Sequence, residues 1–299
     1  MLMRAAIIVN PAKSDVAEVR EQIDKTLSDA GWSPSLWLET TPEDPGLGMA
    51  EAALGAGVQL VVICGGDGTV MACLGALSGT GLPVAIIPLG SGNLLARNLG
   101  IPLGLDDSLA AVVNGADRRI DLGRLGDQPF AVMAGMGFDA AMMADTTEGM
   151  KRFAGWPAYV ASALRHLRDP VMRVRLRIDG GPPVLRSART VLVGNVGQLE
   201  GGLELLPDAQ VDDGLLDVVV VAPRTVRDWL RVAYRIVRRP RTRDRHLERF
   251  RGQAISIEAD RMVPRQMDGE VIADGHRIDA RVEPGALIVR VPQPTTAAA

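Results

Sequence analysis

Hydrophobic and polar positions along the chain fall into two regimes that meet near Arg119. Before it, short apolar runs alternate with segments of helical spacing. "RAAIIV" (Arg4 to Val9), "PSLWLE" (Pro34 to Glu39), "VQLVVIC" (Val58 to Cys64) and "PVAIIPL" (Pro83 to Leu89) have the length and composition of strands. The last two are apolar throughout, as strands buried on both faces are. Between the first two, "SDVAEVREQIDKTLSDAG" sets Val16, Val19, Ile23 and Leu27 on one helical face, after an N-cap at Ser14 or Asp15 and before a stop at Gly31. The alternation predicts a doubly wound parallel α/β domain over residues 1–120.

Beyond Arg119 β-type runs dominate: "QPFAVMAG", "MRVRLRID", "RTVLVGN", "LLDVVVV", "QAISIEA" and "ALIVRV". In "MRVRLRID", Val174, Leu176 and Ile178 alternate with Arg173, Arg175 and Arg177, so one face is buried and the other is basic and solvated. Residues 121–284 therefore predict an antiparallel β-sandwich, interrupted by helices near Glu148 to Arg168 and Thr225 to Arg239. A segment near 285–295 is expected to pack back on the first domain. The fold class is α/β plus all-β, and no internal repeat is visible.

Composition adds bounds. A chain of 299 residues with 47% hydrophobic and 23% charged content suits two globular domains. A net charge of -3 and a pI near 5.7 exclude a surface built to wrap nucleic acid. Cys64 and Cys73 match no metal spacing and make no disulfide framework, which fits a reducing, cytoplasmic setting. The apolar stretch before Pro11 is too short for a secretory segment and no run approaches spanning length, so membrane contact is expected to be peripheral.

Candidate chemistry starts at Gly65, Gly66, Asp67, Gly68 and Thr69, which follow a buried-type strand and open a helix. Backbone N–H groups at a helix start favour an anion, and glycines let a phosphate approach. The stretch is neither a P-loop nor GxGxxG, and alone it reads equally as a tight turn. Two further loops change its weight. Gly90, Ser91, Gly92 and Asn93 in "PLGSGN" follow the next strand, and Asn10, Pro11, Ala12, Lys13 and Ser14 in "NPAKS" follow the first. In an open parallel sheet all three leave the carboxyl edge, where ligands bind.

"NPAKS", "GGDGT", "PLGSGN", "GMGFDA", "PDAQVDDGLLDV" and "MDGE" occur in the order seen in the diacylglycerol kinase catalytic family, which includes bacterial soluble lipid kinases and sphingosine kinases. The chain resembles that family from Ile7 to Glu270. The GGDG loop alone is shared with 6-phosphofructokinases and NAD kinases. The resemblance implies a phosphofructokinase/NAD kinase-like first domain, a sandwich second domain, and an ATP-dependent kinase with the nucleotide between them. It implies nucleotide contacts at Asn10 to Ser14, Thr40, Gly65 to Thr69, Ser91, Gly92 and Asn93, with Thr41 adjacent to Thr40 in an ambiguous register. Asp67 resembles the acid that works with a catalytic Mg2+. Asp213, with the carbonyls of Gln210 and Leu215, resembles a structural Mg2+ site, and Glu270 the general base. Asp212 to Gly214 and Asp268 to Glu270 also read as hairpin turns. Many diacylglycerol kinases have Asp after the Asn of the second loop, whereas here Leu94 stands there.

The expected partners are therefore ATP and a lipid at a membrane surface, a diacylglycerol or a sphingoid or related lipid, with no nucleic acid. An NAD or sugar-phosphate kinase and a non-catalytic lipid- or nucleotide-binding regulator remain as alternatives, and a homodimer is left open. Trp229, Leu230, Ala233, Ile236 and Val237, ringed by Arg227, Arg231, Arg235, Arg238 and Arg239, read equally as a helix for anionic lipid or one that covers the sandwich. Asp139 faces the cleft or bends the domain junction. Met133, Met136, Met142 and Met143 read as core filler before acyl pocket, and His166, His246 and His276 as packing or surface residues.

Overall fold

The computed structural model describes residues 3–13, 15–137, 171–198, 204–223, 225, 227–228 and 246–293. The helical segments expected near Glu148 to Arg168 and over most of Thr225 to Arg239, together with Ser14, Asp139, Met142, Met143 and His166, lie outside them. The chain divides into two compact units, one formed by Met1–Leu122 with Pro284–Ala299 and the other by Gly123–Glu283.

In the first unit, β1 (Arg4–Val9), β2 (Ser33–Glu39), β3 (Leu60–Gly65) and β4 (Val84–Pro88) stand in the order β2-β1-β3-β4, all parallel. Every residue of β3 and β4 is buried, which is why these runs carry no polar alternation. Helix α1 (Val16–Asp29) begins at Asp15, whose carboxylate accepts the N–H groups of Ala17 and Glu18. Of the two N-cap candidates this selects Asp15. Val19, Ile23 and Leu27 of α1 join Leu109 and Val112 of α5 (Leu105–Asn114) over Ile7, Val9, Val62 and Ile87. Fully burying such side chains contributes about 1.5–3 kcal/mol each. Helices α2 (Leu47–Gly55) and α3 (Asp67–Leu77) pack on each other, and α4 (Leu94–Asn98) is a single turn. The chain runs outward from β1 to β2 and then returns past β1 to β3, so the winding reverses between β1 and β3.

Strands β5 (Ala116–Leu125) and β14 (Glu270–Val291) pass from one unit to the other. Near its end β14 joins the first sheet in parallel, pairing Val289 with Val84. There the Gly285 N–H donates to the buried carboxylate of Asp121 at 2.7 Å.

The second unit is antiparallel. Its strands are β6 (Gln128–Phe130), β7 (Met133–Gly137), β8 (Met172–Ile178), β9 (Val184–Ala188), β10 (Thr190–Gly194), β11 (Leu216–Val221), β12 (Leu247–Gly252) and β13 (Ala254–Met267). β13 changes neighbours along its length. Its first residues pair with β8, Ile255 opposite Ile178, and its last with β7, Gln266 opposite Gly135. The switch follows an irregular stretch between Glu258 and Val263, the device by which a strand turns a sandwich corner. On β8 the arginines are exposed and Met172, Val174 and Leu176 are buried, as the alternation requires.

The hydrophobic pattern predicts neither the charged strands "ADRRIDLGRL" and "LERFRG" nor the length of β13 and β14. "QAISIEA" and "ALIVRV" are fragments of strands of 14 and 22 residues. Polar outer faces and internal Pro264 and Pro284 break the period there.

Candidate active site

Parallel pairing aligns Val9 with Cys64 and Gly65 with Pro88, so the loops after β1, β3 and β4 leave one edge side by side. Asn10 extends the pairing by donating its N–H to the Cys64 carbonyl at 3.0 Å, and Leu89 donates to Gly65 at 2.9 Å. The edge lies at the winding reversal, where doubly wound sheets open a crevice.

Side chains then tie the loops together. Asn10 Nδ2 donates to Thr69 Oγ1 at 3.0 Å, and Asn10 Oδ1 accepts the Ala12 N–H at 3.0 Å. The Asp67 carboxylate reaches the next loop, accepting the Asn93 N–H on Oδ2 at 2.7 Å and the Leu94 N–H on Oδ1 at 2.6 Å. Asn93 holds a left-handed backbone with φ 49° and closes its own loop: Oδ1 accepts the Gly90 N–H and Nδ2 donates to the Gly90 carbonyl. Arg97 folds back from α4 and donates Nε to the Gly92 carbonyl at 2.8 Å.

This arrangement gives the glycines a second cause. A Cβ on Gly90 would stand 2.6 Å from the Gly66 Cα, and one on Gly92 would stand 2.8 Å from Asp67 Oδ2. Gly66 and Gly90 are therefore required by backbone meeting backbone, whether or not a phosphate comes near. Gly65 is closed in by its own helix, since a Cβ there would lie 2.7 Å from the Thr69 Cβ.

The remaining predicted residues of this unit that are described lie in the loops at the same edge. Thr40 follows β2, is buried, and donates its N–H to Val9 at 2.9 Å, whereas the Thr41 hydroxyl is taken by the Asp44 N–H. Pro11, Ala12, Lys13, Gly68 and Ser91 are exposed, and the Lys13 N–H closes a turn on the Asn10 carbonyl at 3.1 Å. Arg97 was not singled out from the sequence. Its signal was position, one helical turn beyond Asn93, which brings a cation back over the loop.

In the second unit, the Leu215 N–H donates to Asp213 Oδ1 at 3.1 Å. Arg251 enters the same loop with Nη1 at 3.5 Å from Asp213 Oδ2, Nε at 3.2 Å from Asp217 Oδ1, and Nη2 donating to the Asp208 carbonyl. Burial pushes the Asp217 carboxyl above its ordinary range, while Arg251 pulls it back and Asp213 and Asp208 push it up. Gln210 is exposed and Leu215 half-buried.

Glu270 opens β14 and faces solvent opposite Met267. Asp268 and Gly269 join the strands with φ of 47° and 90°, the signs of a two-residue hairpin turn with both residues left-handed. The turn reading of "MDGE" therefore holds. His246 is buried, with Nε2 3.4 Å from Asp228, and His276 is exposed, both as read.

The residues present suit the cations that the resemblance implies. Asp67 presents its carboxylate at this edge, each oxygen accepting one backbone N–H of the next loop, and one or two carboxylates are what Mg2+ ordinarily takes from a protein. Around Asp213 the candidate ligands named from the sequence are all oxygens, and the carboxylates of Asp208, Asp213 and Asp217 all interact with the guanidinium of Arg251. Among the described residues no three His, Cys, Asp or Glu side chains converge as a metal cage. Magnesium, which keeps several waters and uses one or two carboxylates, does not need one.

Comparison with known proteins adds the lineage. The diacylglycerol kinase catalytic domain model matches residues 4–125, and that of the YegS C-terminal NAD kinase beta sandwich-like domain matches residues 131–291. A probable lipid kinase YegS-like protein of Chromohalobacter salexigens is 31% identical over 295 residues, 96% of this chain and 93% of its own. Its counterpart in Pseudomonas putida is 35% identical over 76% of this chain and 78% of its own. Among solved structures, a diacylglycerol kinase from Bacillus anthracis strain Sterne superposes with a TM-score of 0.77 at 21% identity, covering 97% of both chains. An NAD kinase from Archaeoglobus fulgidus in complex with ATP follows at 0.54 and 14% identity, covering 97% of this chain and 94% of its own, and speaks to the fold alone. With both domain models matched in order, the chain belongs to the diacylglycerol kinase catalytic-domain family, in its YegS-like form.

Proposed function

We propose that the protein is an ATP-dependent lipid kinase that transfers the γ-phosphate of ATP to a hydroxyl of a diacylglycerol, a sphingoid base or a related lipid. The observation that carries the reading is the interlocked edge of the first unit, where Asn10, Thr69, Asp67 and Asn93 fix three loops at the carboxyl ends of parallel strands. The family of lipid kinases to which the chain belongs supports the acceptor class. The glycine loops and the start of α3 would hold the nucleotide phosphates through backbone N–H groups, and Arg97 would add charge beside them. Glu270 would accept the hydroxyl proton as the acceptor oxygen bonds to the γ-phosphorus and the bridge to the β-phosphate breaks, leaving ADP. Mg2+ held at Asp67 would neutralise phosphate charge, and a second held at Asp213, Gln210 and Leu215 would brace that loop. The enzyme is expected to work as a peripheral protein at a cytoplasmic membrane surface, as a monomer or homodimer.

The test offers Mg-ATP with vesicles of mixed diacylglycerols, sphingoid bases and phospholipids in one arm and NAD in another, with products read by mass spectrometry. A phosphorylated lipid that disappears with Glu270→Gln supports the proposal. Turnover of NAD alone refutes the acceptor class, and undiminished turnover by Glu270→Gln refutes the base.

A further inference from the structure

An Asp-Gly hairpin turn is ordinarily a solvated feature, with the Asp side chain in water. Asp268 is different: it is only 7% exposed, and its carboxylate is turned inward. Oδ2 accepts the Ala131 N–H at 2.8 Å, while Oδ1 accepts the N–H groups of Val132 at 2.9 Å and Met133 at 2.6 Å. Its own N–H donates to the Met133 carbonyl at 2.7 Å. One turn residue thus ties by four bonds into the segment that joins β6 to β7. That segment is secured from its far side by Asn195, which donates N–H to Val132 at 2.9 Å and Nδ2 to Ala131 at 3.1 Å. The other turn residue is held as well, since the Gly269 N–H donates to Oε1 of the fully buried Gln266 at 3.2 Å.

A turn needs none of these bonds to form, because Asp-Gly closes a two-residue hairpin by backbone preference alone. What they add is a fixed attachment for the residue that follows. We infer that Asp268 is the positioning residue for Glu270: it anchors the hairpin tip to the 131–133 backbone and so sets where the Glu270 carboxylate stands. The inference rests on the proposed role of Glu270 as base. Glu270 is exposed and has no anchoring bond of its own among the described residues, so its placement has to come from its backbone. A carboxylate is the one side chain of this size that accepts three N–H bonds at once. In Asp268→Asn an amide NH2 would replace one oxygen and face a backbone N–H, donor against donor.

The experiment compares wild type, Asp268→Asn and Glu270→Gln in the full chain. Backbone hydrogen exchange is read for peptides covering 131–133 and 266–272, and ADP formation from Mg-ATP is followed with dioleoylglycerol vesicles and with water as acceptor. Asp268→Asn is expected to speed exchange in those two peptides while residues 172–178 and 216–221 keep their protection. Its kcat should fall by about 10²-fold, the cost of a misplacement near 1 Å, with KM for ATP within about twofold. A raised KM with unchanged kcat, unchanged local exchange, or protection lost throughout the second unit would each overturn the inference. Should Glu270→Gln keep its kcat, the base assignment fails by itself. If Glu270→Gln is inactive and Asp268→Asn keeps full kcat despite fast local exchange, the base stands and the positioning role falls.

Discussion

Replacing Gly90 by Ala tests whether the loops after β3 and β4 touch. The added Cβ would lie 2.6 Å from the Gly66 Cα and 2.9 Å from Asn93 Oδ1, where ordinary carbon contacts begin near 3.4 Å. Neither Gly66 backbone nor the bonded Asn93 amide can step aside, so the loops must part by roughly 0.8 Å, and overpacking of this kind costs about 1–3 kcal/mol. Parting them also stretches the 2.6 and 2.7 Å bonds from Leu94 and Asn93 to Asp67 beyond good geometry. Charge-assisted bonds contribute about 1.5–3 kcal/mol each, and partial loss of two brings the total to about 2–4 kcal/mol. For a chain of 299 residues that unfolds cooperatively this is a fall of about 3–6 °C in Tm. The control is the same substitution at Gly55, the last residue of α2, where a Cβ would meet nothing within 4 Å and φ is not left-handed. There Ala should stabilise by about 0.4–1 kcal/mol through helix propensity and a less disordered unfolded chain. Thermal melting followed by far-UV circular dichroism reads both variants. If Gly90→Ala melts with wild type or above it, the loops are not in backbone contact and the second cause given to the glycines is wrong.

Two further outcomes follow from buried groups. Cys64 and Cys73 are fully buried free thiols, and burial pushes both pKa values up, that of Cys73 to about 12 with Asp44 adding to it. Native protein should therefore resist iodoacetamide and take up two equivalents only in denaturant, as mass spectrometry would read; rapid native labelling would contradict the burial. Arg251→Met removes the guanidinium beside Asp217, so that carboxyl should rise still further above its ordinary range. A raised carboxyl contributes stability that is full below its unfolded pKa and lost as pH rises through the folded value. The stability deficit of Arg251→Met, read by urea unfolding, should then be greatest near neutral pH, about 1–2 kcal/mol after allowance for the partly exposed guanidinium, and should shrink as pH falls toward about 4. A deficit that is constant with pH would remove Asp217 from the account.

The first unit is readable from sequence because β1, β3 and β4 are buried on both faces and α1 repeats its apolar face regularly. β3 and β4 carry no polar residue to disguise them, and α1 announces its ends with Asp15 and Gly31. The second unit is less readable where its strands are half-solvated, as β9, β12 and β13 are, and not in β7, β10 and β11, which are buried throughout. β12 buries only its two ends, Leu247 and Gly252, around a middle of Glu248, Arg249, Phe250 and Arg251, and β13 changes partner midway, which no periodicity records. The candidate site divides similarly. Loop positions at strand ends followed from topology, but the reach of Asp67 across 26 residues to Asn93 did not, nor did the inward turn of Asp268. Side chains that bond backbone far away in sequence leave no local pattern.

The bond between Asn10 and Thr69 joins residues 59 apart in sequence and exists only once β1 lies beside β3. Occupancy of this edge is therefore thermodynamically coupled to the folding of the whole first sheet. A nucleotide held there, as proposed, would stabilise the native chain by RT ln(1 + [L]/Kd), about 2.7 kcal/mol at a hundredfold excess over Kd. The cell's nucleotide concentration would then act on how long the protein survives as well as on how fast it works.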